Sequence, residues 1–425
     1  QSHIDSYAET GECAPFSREM VKAVPFPEGN DTHISNYGAL ARDGVSCTTC
    51  HRMDLASDQD ELLKKPENAC VAERQALLNP DNEGFAKTFT GSFPVGAPDK
   101  LVGPFANPKV RPMENAMGIT PVAHSMITSS ETCGTCHTVH LPVMSEGKVI
   151  AHTYEQTTYP EWAFSAYRTG TAPQGDLPQG PGATPQTCQD CHMPSRASDG
   201  TPNRSKIASI QEYSNFPQAE NVMGPEEIDL EVREGYSPHT LVGLNVFLVK
   251  MAQQFPDVLG IRTMDPMIVA RGVDPLVRTE QSMLDMASNQ TADVRVSQLE
   301  MTDKGVRATV SVVNKVGHKF PSGVGFRRAF LEFRVLDQMG DTLWVSGRTN
   351  AIGAILGPDG NPIDGEYWWE DDCTARIEPL ERRHQPHFQT ITNQSQAQIY
   401  QELVASPAPG DGKEQCEVGM PANGP

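Results

Sequence analysis

The sequence predicts a loop-rich α+β protein, built as a domain with few short helices, a helical connector and a C-terminal antiparallel β-sandwich domain. Three observations point there. Gly and Pro are plentiful, at 35 and 34 residues, and cluster in stretches such as 171–185, which favours loops and short helices over a helical bundle. Hydrophobic periodicity is weak to residue 215, helical from 216 to 292 and two-residue thereafter. Six of the ten cysteines fall in Cys-x-x-Cys pairs, all before residue 215. The expected parts are therefore 1–215, 216–292 and 293–425, with the last strand ending near 405.

In the first part, Pro94–Pro112 reads as loop and Thr171–Pro185 as an exposed excursion. In the second, Leu241, Leu244, Leu248, Met251 and Phe255 share one face of a helix starting at His239. A further helix is expected from Asp274-Pro275 to about Ser288, with Asp as N-cap and Pro at the first position. In the third, Val306, Ala308, Val310 and Val312 share a strand face. Leu331, Phe333 and Val335 alternate with Glu332 and Arg334, and Gly305, Gly340 and Gly357-Pro-Asp-Gly-Asn-Pro mark turns.

The cysteines carry the chemistry. Each Cys-x-x-Cys pair is followed at once by His: Cys47-Thr-Thr-Cys50-His51, Cys133-Gly-Thr-Cys136-His137 and Cys188-Gln-Asp-Cys191-His192. This is the attachment pattern of haem c. Two thiols one turn apart can each form a thioether to one porphyrin, and the adjacent imidazole meets the iron. Structural zinc or a thioredoxin-like pair is the competing reading. With 12 histidines in 425 residues, chance would put His after all three pairs in roughly 2 of 100,000 cases. Zinc ribbons also need Cys-x-x-Cys in twos, and three leaves one over. Residues 1–215 are thus expected to form a cytochrome c domain with three haems.

The remaining cysteines, Cys13, Cys70, Cys373 and Cys416, are expected as disulfides, since haem c is attached where thiols oxidise. Shorter loops favour Cys13–Cys70 and Cys373–Cys416. The chain begins at Gln1 with no apolar leader, which reads as an exported product, periplasmic or extracellular, whose signal has been removed. No 18-residue apolar run suggests a transmembrane segment. A net charge of −20 excludes nucleic acid as a natural partner and favours a basic patch on a redox partner.

Nine histidines outside the motifs are enough for bis-histidine ligation of every iron. The distal candidates, in order, are His239, His140, His318, His124, His152 and His33. His239 starts the expected helix, and His140 is expected on nearly the same helical face as His137, facing a neighbouring haem. His318 lies in the turn Gly317-His-Lys-Phe-Pro-Ser-Gly323. His3, His384 and His387 read as surface residues. Asp359-Gly-Asn-Pro-Ile-Asp364-Gly-Glu366 is a candidate Ca²⁺ loop, for which a solvated turn is the favoured reading.

The segments Cys-Gly-Thr-Cys-His-Thr-Val-His140, Glu155-Gln-Thr-Thr-Tyr-Pro-Glu-Trp162, Cys188-Gln-Asp-Cys-His-Met-Pro194, Thr240-Leu-Val-Gly-Leu-Asn-Val-Phe-Leu248 and Gly317-His-Lys-Phe-Pro-Ser-Gly with Arg327-Arg328-Ala-Phe-Leu are similar to the exported multihaem c-type cytochromes of respiratory bacteria. The likeness covers about residues 40–405. It implies electron transfer, a C-terminal β domain and mostly bis-histidine haems. Many of those relatives carry four or more haems, whereas Cys13 has no Cys-His after it. Some polymerise into conducting filaments, so self-association is a further expectation, with a distal His supplied by a neighbouring subunit.

Two other functions compete. A multihaem reductase or oxidase of a small nitrogen or sulfur compound needs one open iron and acid–base groups nearby, for which Asp190, Tyr159 and His152 are candidates. Alternatively, the β domain is a docking module whose haems serve a partner enzyme.

Overall fold

The computed structural model describes residues 7–13, 45–55, 57–78, 91–172, 175–176, 184–206, 231–259, 261, 274–325, 327–367 and 387–401. His3, His33, His384, Cys373, Cys416 and most of the 171–185 excursion lie outside them. The chain is a loop-rich mixture of short helices and small sheets. Among the described residues the strands pair two by two, in one parallel and six antiparallel ladders. No described helix is long and apolar enough to cross a membrane. The chain divides into two compact units.

The first unit draws on Gln1–Thr88, Ser92–Cys136 and Trp162–Gly317. It holds three single-turn helices that carry the cysteine pairs: α1 (Cys47–His51), α2 (Ser130–Gly134) and α3 (Cys188–His192). The chain behind α1 is held by Asn68. This fully buried side chain donates to the Leu62 and Val95 carbonyls at 3.2 and 3.1 Å and accepts the Val95 N–H at 2.8 Å. Such a group is costly to bury unless all its hydrogen bonds are met, and here they pin Val95 against Met53, 1% exposed. A Cys13–Cys70 disulfide fastens the N-terminal residues to helix Ala69–Leu78, as loop length led us to expect.

Two longer helices follow, α4 (Val246–Gln254) and α5 (Pro275–Asn289). The start of α5 matches its sequence signal: the Asp274 carboxylate accepts the Leu276 N–H at 2.8 Å and Pro275 occupies the first turn. The expectation for α4 needs correction. No helix begins at His239; the chain turns at Leu241, whose φ is 45°, and becomes helical only at Val246. The buried seam between α4 and α5 is Val242, Val249 and Met283, flanked by Val246, Leu276 and Met286. Leu244 precedes the helix, and Leu248 and Phe255 are about half exposed. Lys250 and Gln253 of α4 both reach Glu280 of α5, at 2.7 and 2.9 Å.

After α5, strands Ala292–Thr302 and Gly305–Asn314 form a hairpin. Val294 and Val296 oppose Val312 and Val310, and Met301 opposes Val306, all on one face. A strict two-residue alternation would put Met301 on the opposite face from Val296. The chain absorbs one extra residue at Gln298 (φ 49°), where the register shifts between Arg307 and Thr309, and the apolar side is restored.

The second unit draws on Phe89–Gly91, His137–Glu161 and His318–Pro425. Its first hairpin pairs Val139–Ser145 with Lys148–Gln156. Its core is Ile355, Ile363, Ala397 and Ile399, packed on Phe330. Ladder Arg328–Phe330 with Ile399–Gln401 stands beside ladder Phe333–Leu336 with Thr342–Ser346. Phe333 and Val335 alternate with exposed Arg334 as expected, but Leu331 and Glu332 leave the strand. There Gly347, at φ 77°, crosses so close that a Cβ would sit 2.1 Å from the Leu331 carbonyl, so only glycine fits.

Candidate functional site

The three cysteine turns are built to different plans. In α3, Thr187 forms a capping box with Asp190: the Thr187 hydroxyl accepts the Asp190 N–H while the Asp190 carboxylate accepts the Thr187 N–H at 2.7 Å. That stabilises a helix of only five residues, which is too short to stand by itself. In α2 small buried polar residues do the same work. Thr132 donates to the Met126 carbonyl at 2.6 Å and Thr135 to the Thr132 carbonyl at 3.0 Å, and neither is exposed. The preceding turn is capped by His124, whose Nδ1 accepts the Met126 N–H at 3.1 Å.

The turns in the first unit pack on one another through α2. The Thr135 hydroxyl reaches the Met53 sulfur behind α1 at 3.7 Å. The Ser130 hydroxyl accepts the Cys188 N–H at 3.1 Å, and Gln189 donates to the Ser129 and Ile127 carbonyls. The sulfurs are correspondingly close. A hydrogen bond with Cys188 raises the Cys133 thiol, helped by burial, and the same bond lowers Cys188 to about 7, against its own burial. Burial raises Cys50, with nearby Cys136 adding to it, and raises Cys136 as well. Burial also lifts Cys191 to about 11, with Asp190 adding to it. None of the six motif cysteines is in a disulfide.

Two of the motif histidines are oriented through Nδ1. His51 Nδ1 meets the Val102 carbonyl at 2.5 Å, and His192 Nδ1 meets the Val242 carbonyl at 3.0 Å. A carbonyl only accepts, so Nδ1 carries the proton and Nε2 keeps its lone pair, the tautomer a metal ligand needs. Facing His51 is His239, its ring centroid 6.2 Å away and its plane tilted by 40°. Stacked rings come nearer, as His140 and Tyr154 do at 4.6 Å. Burial, then the charge of His51, lowers the His239 pKa, while a backbone hydrogen bond at Ser237 acts in the opposite sense.

In the second unit His137 lies near His318. Burial lowers the His137 pKa and the His318 charge lowers it further. Glu161 brings the turn into place. Its carboxylate accepts from the Lys319 N–H at 3.0 Å, the Ser322 hydroxyl at 2.8 Å and the Thr157 hydroxyl at 2.8 Å. The Tyr159 N–H meets the His137 carbonyl at 3.0 Å. His318 Nδ1 meets the Lys319 carbonyl at 2.9 Å, which again puts the proton on Nδ1 and the lone pair on Nε2. The sequence segments 155–162 and 317–323 are thus two sides of one clamp, which no local pattern in either could have revealed.

The other distal candidates divide. His140 needs correction: the helix ends at Gly134 and Val139–Ser145 is a strand, so His140 shares no helical face with His137. It is buried, stacked on Tyr154 across the hairpin. His124 uses Nδ1 as an acceptor, which puts its proton on Nε2 and suits it to capping rather than ligation. His152 pairs with Pro142 in the same hairpin. Asp190 is committed to its capping box. In the Asp359–Glu366 loop, Asp359 accepts from Asn361, and Glu366 accepts from Arg328 and from the Ile355 N–H at 2.6 Å. Among the described residues, no three His, Cys, Asp or Glu side chains converge on a metal-sized point.

Set beside protein-family models, curated proteins and solved structures, the chain matches none of them.

Proposed function

We propose that the chain is an exported multihaem c-type cytochrome that relays electrons through three covalently bound haems. One observation carries the reading: the His51 and His239 rings stand 6.2 Å apart with the His51 Nε2 available. Two metal–imidazole bonds of about 2.0 Å from opposite sides of one ion put the ring centroids roughly 6.3 Å apart. A two-histidine pair suits an ion whose remaining donors come from a porphyrin.

The donor set fits the group. Each turn offers two cysteines three residues apart, outside any disulfide, and a histidine next to the second. Beside the His239 turn, the large apolar side chains of Leu241, Leu244, Phe247 and Leu248 are exposed. Bound haem c would supply a one-electron iron couple. The chain's part is to hold the ligands. The Val102 and Val242 carbonyls fix two imidazoles, Glu161 fixes the loop that bears His318, and burial lowers the pKa values of His137 and His239, which favours the neutral ring.

Six-coordinate irons favour relay over chemistry on a small substrate. The Asp190 carboxylate, a candidate acid for the reductase alternative, is spent on helix capping. A Cys13–Cys70 disulfide supports a compartment outside the cytoplasm. Redox proteins or an extracellular acceptor are the partners we assign. The C-terminal ladders are read as parts of a sandwich, and assembly into filaments belongs to the same proposal.

The test is expression with a haem-attachment system, followed by a pyridine haemochrome count and electron paramagnetic resonance of the oxidised protein. Three haems per chain, all low-spin, is the expected result. Colourless protein, or a stoichiometric high-spin haem that binds cyanide, overturns it.

A further inference from the structure

One four-residue segment serves two of the three cysteine motifs. At its start, His239 faces His51 of the first motif at 6.2 Å. At its end, the Val242 carbonyl accepts the Nδ1 proton of His192 in the third motif at 3.0 Å. Between them, the Thr240 hydroxyl and the Leu241 N–H both donate to the His192 carbonyl, at 2.7 and 3.2 Å. All these residues belong to the first unit. The span is short, because four residues reach at most about 14 Å when extended.

The segment is also held under constraint. Leu241 has φ 45°, a left-handed conformation that a leucine side chain rarely adopts. Such a conformation persists only where the surroundings over-determine it. Here Thr240 and Leu241 are tied to His192, and the Val242 side chain is locked in the seam with Val249 and Met283. The backward turn lets residue 239 face one histidine while residue 242 faces another.

We propose that His239–Val242 is a strap that couples the ligand sets of the first and third haems. The proposal rests on the haem reading above. The strength of the Nδ1–H···O bond governs how electron-rich His192 is as a ligand, and hence the potential of the iron it would hold. His239 and the Val242 carbonyl are separated by only two residues, one of them strained. A shift of His239 therefore changes that bond, and a change at one iron is felt at the other without any contact between the haems.

Two substitutions test this in the full-length protein, with three haems per chain verified by pyridine haemochrome. Thr240→Val removes the hydroxyl donor. All three haems should stay low-spin while the midpoint potential and largest g value of one haem shift, and Thr240→Ser should restore both. His239→Ala should turn one low-spin haem high-spin and shift the same second haem that Thr240→Val shifts. If His239→Ala makes one haem high-spin and leaves the other two unmoved, the strap is refuted and the haem reading stands. If His239→Ala leaves three low-spin haems, His239 is no ligand and both the strap and its first-haem assignment fall.

Discussion

Cys133 and Cys188, the leading cysteines of the second and third motifs, lie close enough that their interaction raises the one thiol and lowers the other. The two helices that bear them are locked by Ser130, which accepts the Cys188 N–H, and by the Gln189 side chain. Once both sulfurs are thioethers, two porphyrin rims must start from neighbouring atoms. The predicted consequence is a split Soret band in circular dichroism, produced by a pair of interacting chromophores. Cys188→Ser with Cys191→Ser should abolish the splitting. A parent spectrum without splitting would contradict the prediction.

Glu161 accepts three hydrogen bonds and organises the turn of His318. Glu161→Ala leaves the Lys319 N–H and two hydroxyls without their acceptor, at a cost of about 1–3 kcal/mol. Its sharper effect should be on ligation: one low-spin haem becomes high-spin or exchanges its ligand. Glu161→Gln keeps an acceptor oxygen and should lie between alanine and the parent. Identical resonance spectra for parent and alanine variant would remove His318 from the ligand set.

The candidate site was legible in the sequence as far as its spacing is local: two cysteines and a histidine within five residues mark each turn, and Asp274-Pro275 states a helix start. The alternation of Val306, Val310 and Val312 likewise survives in the hairpin. What failed depends on partners distant in the chain. Leu241 and Leu244 read as part of a helical stripe, but they precede α4, and α5 packs on Val242, Val246 and Val249. His140 follows a helical motif, yet the chain leaves the helix two residues before His137 and enters a hairpin. The clamp between 157–161 and 319–322 spans about 160 residues of sequence, and no periodicity reports a contact of that range.

Lys250 and Glu280 join α4 to α5 next to the seam that anchors Val242. The Lys250 hydrogen bond and charge hold the Glu280 carboxyl below its ordinary range, with Gln253 assisting. A depressed carboxylate binds fewer protons folded than unfolded, so its contribution is present above the unfolded value and lost as pH falls through the folded one. Lys250→Gln should therefore lower the thermal midpoint slightly at neutral pH, with the deficit fading below about pH 4. Salt should shrink it too, since the lysine is exposed. A deficit that is independent of pH would mean packing, not charge, joins these helices there.

Arg328 and Glu366 test the second unit. The Glu366 side chain is fully buried, and its oxygens meet Arg328 at 2.5 and 2.7 Å and the Ile355 N–H at 2.6 Å. Removing the guanidinium strands a buried carboxylate, for which about 3 kcal/mol is a reasonable loss. Arg328→Met should thus expose the loop around Ile355, read as faster amide exchange in a peptide covering 348–366. Adding Glu366→Gln removes the stranded charge while keeping an acceptor for the Ile355 N–H. The double variant should then recover much of the protection that Arg328→Met alone loses, because the greater part of that loss is desolvated charge and not the contact itself. Equal exchange in the single and double variants would assign the effect to lost arginine packing.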